Sequence, residues 1–157
     1  MKATNTILKT ASFYSYQGGY IKVLISPEET SGSMALFELT MPRGGEPPKH
    51  LHTLEEETFY ILEGELEFYL GESVATISPC DVIFAPRNIV HGFRILTNHA
   101  KILTLITPGD FLNHFRESGN EESGETELVP PSGPPPQDVV EKLAIRLAER
   151  FGVYLKL

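Results

Sequence analysis

From Tyr20 to Thr107 the chain runs as short segments rich in Val, Ile, Phe and Tyr, broken by Gly, Pro and Asn every eight to twelve residues. That rhythm predicts antiparallel strands arranged as a sandwich or barrel. The candidate strands are 20–26, 33–40, 50–52, 57–64, 65–71, 73–78, 81–86, 91–97 and 100–107. Few of them alternate cleanly. "TFYILEG" and "AKILTLI" carry apolar residues on both faces, which predicts strands covered on both sides, by a barrel interior on one and a second sheet or subunit on the other. Beyond Pro108 the period changes. Phe111, Leu112 and Phe115 fall at helical spacing, with Asp110 as N-cap and Gly119 as a stop, so a short helix should close the domain. The acidic, proline-rich stretch 120–137 has no periodicity and reads as an extended linker. In the last segment Asp138 takes the cap position, and Val139, Leu143, Ile145 or Arg146, Leu147 and Phe151 lie near helical spacing before the breaker Gly152. The expected organisation is a β-barrel domain over 1–119, a linker over 120–137, and a helix within 138–157 that packs on the barrel or on a dimer partner. A reach of ~55 Å for a polyproline linker of this length favours the partner.

Composition narrows the function more than the fold. At 157 residues the chain is the size of one domain with one core, and 12 prolines with 13 glycines fit a fold of many turns. A net charge of −8 with only 13 scattered Lys and Arg supplies no basic face for nucleic acid, so a small molecule is the expected partner. No segment approaches the ~20 apolar residues of a membrane span, and "MKATNTILKTASFYSY" has no signal-peptide core; a cytoplasmic protein is expected. The lone Cys80 excludes an intrachain disulfide. No helix N-terminus is expected near "TISPCDV" to activate its thiol.

Candidate chemistry sits in "HLHTLEEETFYILEGE". On a strand, side chains two apart share a face, so His50 and His52 project together, close enough to share one ion. His91 begins another candidate strand after the turn "PRNIV" and can bring a third imidazole. Imidazole and carboxylate without thiolate suit divalent Fe, Mn, Co, Ni or Zn. Periodicity leaves the glutamate open: Glu57 would share its face with Phe59 and Ile61, Glu56 with Thr58, Tyr60 and Leu62.

The segment "GGEPPKHLHTLEEETFYILEG" resembles the first motif of the cupin superfamily, G-x5-H-x-H-x(3,4)-E-x6-G, with Gly44, His50, His52, Glu57 and Gly64 in register. Within that resemblance the gap to Gly64 selects Glu57. The second motif, G-x5-P-x-G-x2-H-x3-N, is similar to "CDVIFAPRNIVHGFRI", with Pro86 and His91 in place; Cys80 and Asn88 stand where glycines are usual, and Ile95 replaces the asparagine. The likeness covers about 33–107, and the tail more loosely resembles single-domain cupins of the quercetin 2,3-dioxygenase type. It implies an all-β fold, a cupin-type antiparallel β-barrel (double-stranded β-helix or jelly roll) with a short helix after the barrel and a C-terminal helix. It also implies a homodimer and one divalent transition metal held by His50, His52, Glu57 and His91.

On this reading Glu57 both ligates and accepts a proton, and Phe59, Ile61, Phe93 and Ile95 line an apolar substrate pocket. The expected activity is a metal-dependent dioxygenase acting on a small aromatic or enolisable, flavonol-like molecule. A non-redox isomerase, hydrolase or lyase and a non-catalytic binding cupin are the alternatives. Glu55 and Glu56 read as a solvated loop, His99 and His114 as surface or packing residues, and Tyr60, Phe68, Tyr69 and Phe84 as core or interface. Arg94 and Lys49 should point away from the metal.

Overall fold

The computed structural model describes residues 9–157; the expectation for the signal-peptide region bears largely on 1–8, outside the described residues. The strands are β1 (Ser12–Tyr16), β2 (Gly19–Ile25), β3 (Ala35–Pro42), β4 (His50–His52), β5 (Glu56–Glu63), β6 (Leu66–Leu70), β7 (Ser73–Ile77), β8 (Val82–Ala85), β9 (His91–Ile95), β10 (His99–Thr107), β11 (Glu121–Glu122) and β12 (Val153–Leu155). They form two antiparallel sheets, β11-β1-β2-β3-β10-β5-β8 and β12-β4-β9-β6-β7, face to face in the jelly-roll manner. The fold is all-β with two helices, α1 (Leu112–Ser118) and α2 (Gln137–Phe151).

Alternation builds the core. In β10 every second residue, from Ala100 through Ile102 and Thr104 to Ile106, is buried, while Leu103 and Leu105 on the other face are half-buried. β5 does the same, sending Glu57, Phe59 and Ile61 inward. The strands expected to be covered on both faces are thus fully covered on one only. Phe37, Ile61, Leu66, Ile95, Ile102 and Ile106 are almost wholly enclosed between the sheets, each worth roughly 1.5–3 kcal/mol of apolar transfer.

Turns are set by residues able to take positive φ. Gly64, at φ +84°, joins β5 to β6, and a Cβ there would meet the His99 carbonyl oxygen at 2.4 Å, so no other residue fits. Cys80 and Asn88, at the positions where the cupin pattern has glycine, keep the left-handed conformation, with φ of 77° and 63°. The turns hold their shape although the residues are not glycine.

Three strands lie outside those read from the sequence: β1, β11 and β12. β1 pairs with β2 across a tight turn at Gln17 and Gly18, and with Glu121 and Glu122 from inside the segment read as linker. α2 begins at Gln137 after Pro136, with no side-chain cap, so Asp138 falls within the first turn rather than at the cap. It lies on the barrel of its own chain, with Leu147 and Phe151 in the core. Arg146 and Arg150 meanwhile reach Glu117 at the end of α1. After Gly152 the chain turns into β12, which pairs with β4 in the register Val153↔His52 and Leu155↔His50.

Candidate metal centre

β4 presents His50 and His52 on one face, and β9 sets His91 directly across from His50. Glu57 enters from β5, in the opposite sheet. One ligand atom from each of His50, His52, Glu57 and His91 lies within 4.8 Å of all the others, close enough for a single ion. Glu57 Oε2 is 2.8 Å from His91 Nε2 and 3.3 Å from His52 Nε2.

The outward nitrogen of each ring decides what the inward one can do. His50 Nδ1 donates to the Pro48 carbonyl at 2.8 Å, and His91 Nδ1 to the Ile89 carbonyl at 3.0 Å. His52 Nδ1 donates to the buried Glu55 carboxylate at 3.0 Å. With Nδ1 protonated on all three, the neutral rings direct three Nε2 lone pairs towards one another and towards a carboxylate. Such a set repels itself unless positive charge sits among it, as a proton or a metal cation. His52 Nε2 is accordingly a buried nitrogen without a hydrogen-bond partner. The donor set, borderline imidazole plus one hard carboxylate, fits a divalent transition metal.

Electrostatics agree. Burial pushes the Glu57 carboxyl up, but His52, His91 and His50 outweigh it and bring its pKa down to about 2, so it is ionised. Burial drives His50 down to about 4, against the pull of Glu57. His52 moves the other way: burial opposes its charge, yet Glu57 and Glu55 together raise its pKa.

A cavity of about 60 Å³ adjoins the cluster, with His50, Glu57 and His91 in its wall. Phe59 and Phe93 line it, whereas Ile61 and Ile95 lie in the core and do not. Phe37, Phe111 and Phe115 complete an aromatic lining, and Leu143, Leu147, Val153 and Leu155 of the tail close it over.

One of the readings from the sequence needs correction. Glu55 is not a solvated loop residue: it is 3% exposed and holds His52, because β4 turns back into β5 over only three residues. His114, read as a surface or packing residue, packs against Phe111, Tyr16 and Phe151 and is buried in the cavity wall. Glu56, by contrast, faces out and meets Arg87 at 3.4 Å, and Arg94 pairs outward with Glu67. Lys49 points away from the cluster, over the Tyr69 ring. His99 meets Glu63 at the surface, Phe68 is buried, and Phe84 is exposed. Among the described residues no helix is long and apolar enough to cross a membrane.

Comparison with known proteins extends this. The quercetin 2,3-dioxygenase of Bacillus subtilis (strain 168) is 27% identical over 103 residues, 66% of this chain but 31% of that protein, so the chain spans about a third of its relative's length. Among solved structures, an RmlC-like cupin from Shewanella frigidimarina NCIMB 400 superposes with a TM-score of 0.57 at 17% identity, covering 70% of this chain and 96% of that one. KdgF from Halomonas sp. gives 0.54 at 21% identity, covering 60% and 84%. At these identities the two structures speak for the fold alone. Residues 37–107, which carry all four clustered side chains, match the family model of the cupin domain, and that stretch of the chain is a cupin domain.

Proposed function

We propose that this cupin is a metal-dependent dioxygenase for a small enolisable molecule, with His50, His52, Glu57 and His91 as the ligands of one divalent Fe, Mn, Co, Ni or Zn ion. One observation carries the reading: three imidazoles whose outward nitrogens are all held by acceptors converge with a single carboxylate on an aromatic-lined cavity. The likeness to quercetin 2,3-dioxygenase supports the oxidative choice. A bound ion would supply Lewis acidity and, if redox-active, one-electron chemistry with dioxygen.

The residues supply the rest. Glu57 is the carboxylate in the cavity wall, ionised and placed to take a proton from a substrate held beside it. Phe59 and Phe93 exclude water and give the substrate's apolar body a surface. A cavity of about 60 Å³ takes a few heavy atoms. A diketone-sized molecule therefore suits it better than a flavonol.

The non-redox alternative, an isomerase or lyase, is favoured by a different observation: His114 brings a second titratable group to the cavity. Metal analysis of the purified protein, followed by dioxygen uptake with pentane-2,4-dione and a series of flavonols, decides between them. Stoichiometric metal and uptake with the dione are expected. Metal without uptake for any of these compounds would overturn the dioxygenase and leave the non-redox enzyme or a binding protein.

A further inference from the structure

The cavity has a polar wall apart from the four-ligand cluster, and the proposed reaction makes no use of it. His114, from α1, is buried there. Its ring stacks on Phe111 with 5.2 Å between centroids, and meets Tyr16 and Phe151 edge-on. Phe111 also packs edge-on against His52, 4.5 Å between centroids, and so stands between the two imidazoles. His114 is outside the group that could share the ion.

A relay of hydrogen bonds reaches its Nδ1. Arg146 Nη1 lies 3.3 Å from Ser118 Oγ, which lies 3.3 Å from His114 Nδ1. A guanidinium only donates, so the hydroxyl accepts from Arg146 and keeps its own proton free to donate to Nδ1. With that donation made, the ring proton sits on Nε2. Burial, with a smaller contribution from Arg146, holds the imidazole neutral, its pKa down at about 4.

Thr104 provides a second, independent polar group. It points inward from the middle of β10, between cross-strand neighbours Phe37 and Phe59, and lines the same cavity. Its Oγ1 is fully buried without a partner. A hydroxyl kept in that state destabilises the fold unless something in the cavity pairs with it.

We propose that the His114 Nε2–H and the Thr104 hydroxyl orient the substrate, each by a hydrogen bond to an oxygen of a small carbonyl compound held in this cavity. The ligand class is compact and apolar in its body, with an acceptor oxygen left free of the four-ligand cluster. The inference rests on the reading that this cavity is the substrate site.

The test uses full-length protein loaded with Zn(II), which is redox-silent, and titrated with pentane-2,4-dione. His114→Phe and Thr104→Val are each expected to weaken binding by about tenfold, the loss usual for one hydrogen bond to a ligand, with zinc content unchanged. His114→Gln, whose amide can donate from a similar position, should bind within about threefold of the parent protein. Nitrogen-15 NMR of the parent imidazole should show Nε2 protonated. An Nδ1–H tautomer, or parent-like dione binding by both His114→Phe and Thr104→Val, would overturn the proposal. Failure of the parent protein to hold zinc would strike the metal reading instead; the tautomer and a dione titration of metal-free protein would still decide this one.

Discussion

Glu55, Glu56 and Glu57 stand side by side, yet the fold puts each to a different use. Glu55 fixes His52, Glu56 meets Arg87 at the surface, and Glu57 joins the cluster. The strand period explains Glu56 and Glu57, which fall on opposite faces of β5. It does not explain Glu55, which precedes the strand and is buried because the loop folds back on β4. Its signature was legible only as a carboxylate three residues after a candidate ligand histidine. Removing that carboxylate leaves His52 free to rotate and lowers its basicity. Glu55→Gln is therefore expected to weaken metal affinity by about 10–100-fold without unfolding the barrel; competition with a chelator measures it, and parent-like affinity would refute the role. The four clustered residues were legible because two local motifs carry them, with Gly64 held to its position by the His99 carbonyl. His114 and Thr104 belong to no such motif. One sits on a helix and one on a distant strand, and only the tertiary fold brings them to one cavity.

At the scale of elements, every strand from β2 to β10 could be read from apolar runs and turn residues, within a residue or two. The missing ones have a common cause. β1 mixes serine with its aromatics, β11 is two glutamates, and β12 is a three-residue end behind a helix, so none has an apolar period of its own. β11 and β12 moreover find their partners, β1 and β4, far away in sequence. The helix α2 was legible as a helix but not as to what it covers. Leu147 and Phe151 face the barrel while Val139 and Ile145 remain exposed, so only its second half is docked. Phe151 packs edge-on against both Phe111 and His114. Phe151→Ala should cost about 3–5 kcal/mol of stability, the range for truncating a buried aromatic. Urea unfolding measures this, and a loss below about 1 kcal/mol would show that the tail is not part of the cooperative core.

For the whole molecule, the buried histidines and Glu57 tie stability to acid. His50 and His114 are both driven down to about 4 from the ordinary imidazole value, so between roughly pH 6.5 and 4 the unfolded chain binds more protons than the folded one. Stability therefore falls as pH falls through that window. His52, raised in the fold, has the opposite sign and adds its stability as pH falls through the range above the ordinary imidazole value of 6.5. Below the ordinary carboxylate range a second loss sets in, as pH falls towards the Glu57 value of about 2. Thermal midpoints of metal-free protein should fall as pH is lowered from about 6.5 to 4, and again below about 4. A midpoint that rises on acidification would contradict these protonation states.

The register Val153↔His52 joins positions about a hundred residues apart. Closing a loop of that length costs on the order of 4 kcal/mol of chain entropy, so this pairing forms after the local hairpins. A ribosome also delivers β4 long before it delivers β12. During that interval the strand bearing His50 and His52 has one flank unpaired, and the apolar cover over the cavity does not yet exist. The order of synthesis thus leaves the centre open to an arriving ion, and the last strand to be made then shuts it in.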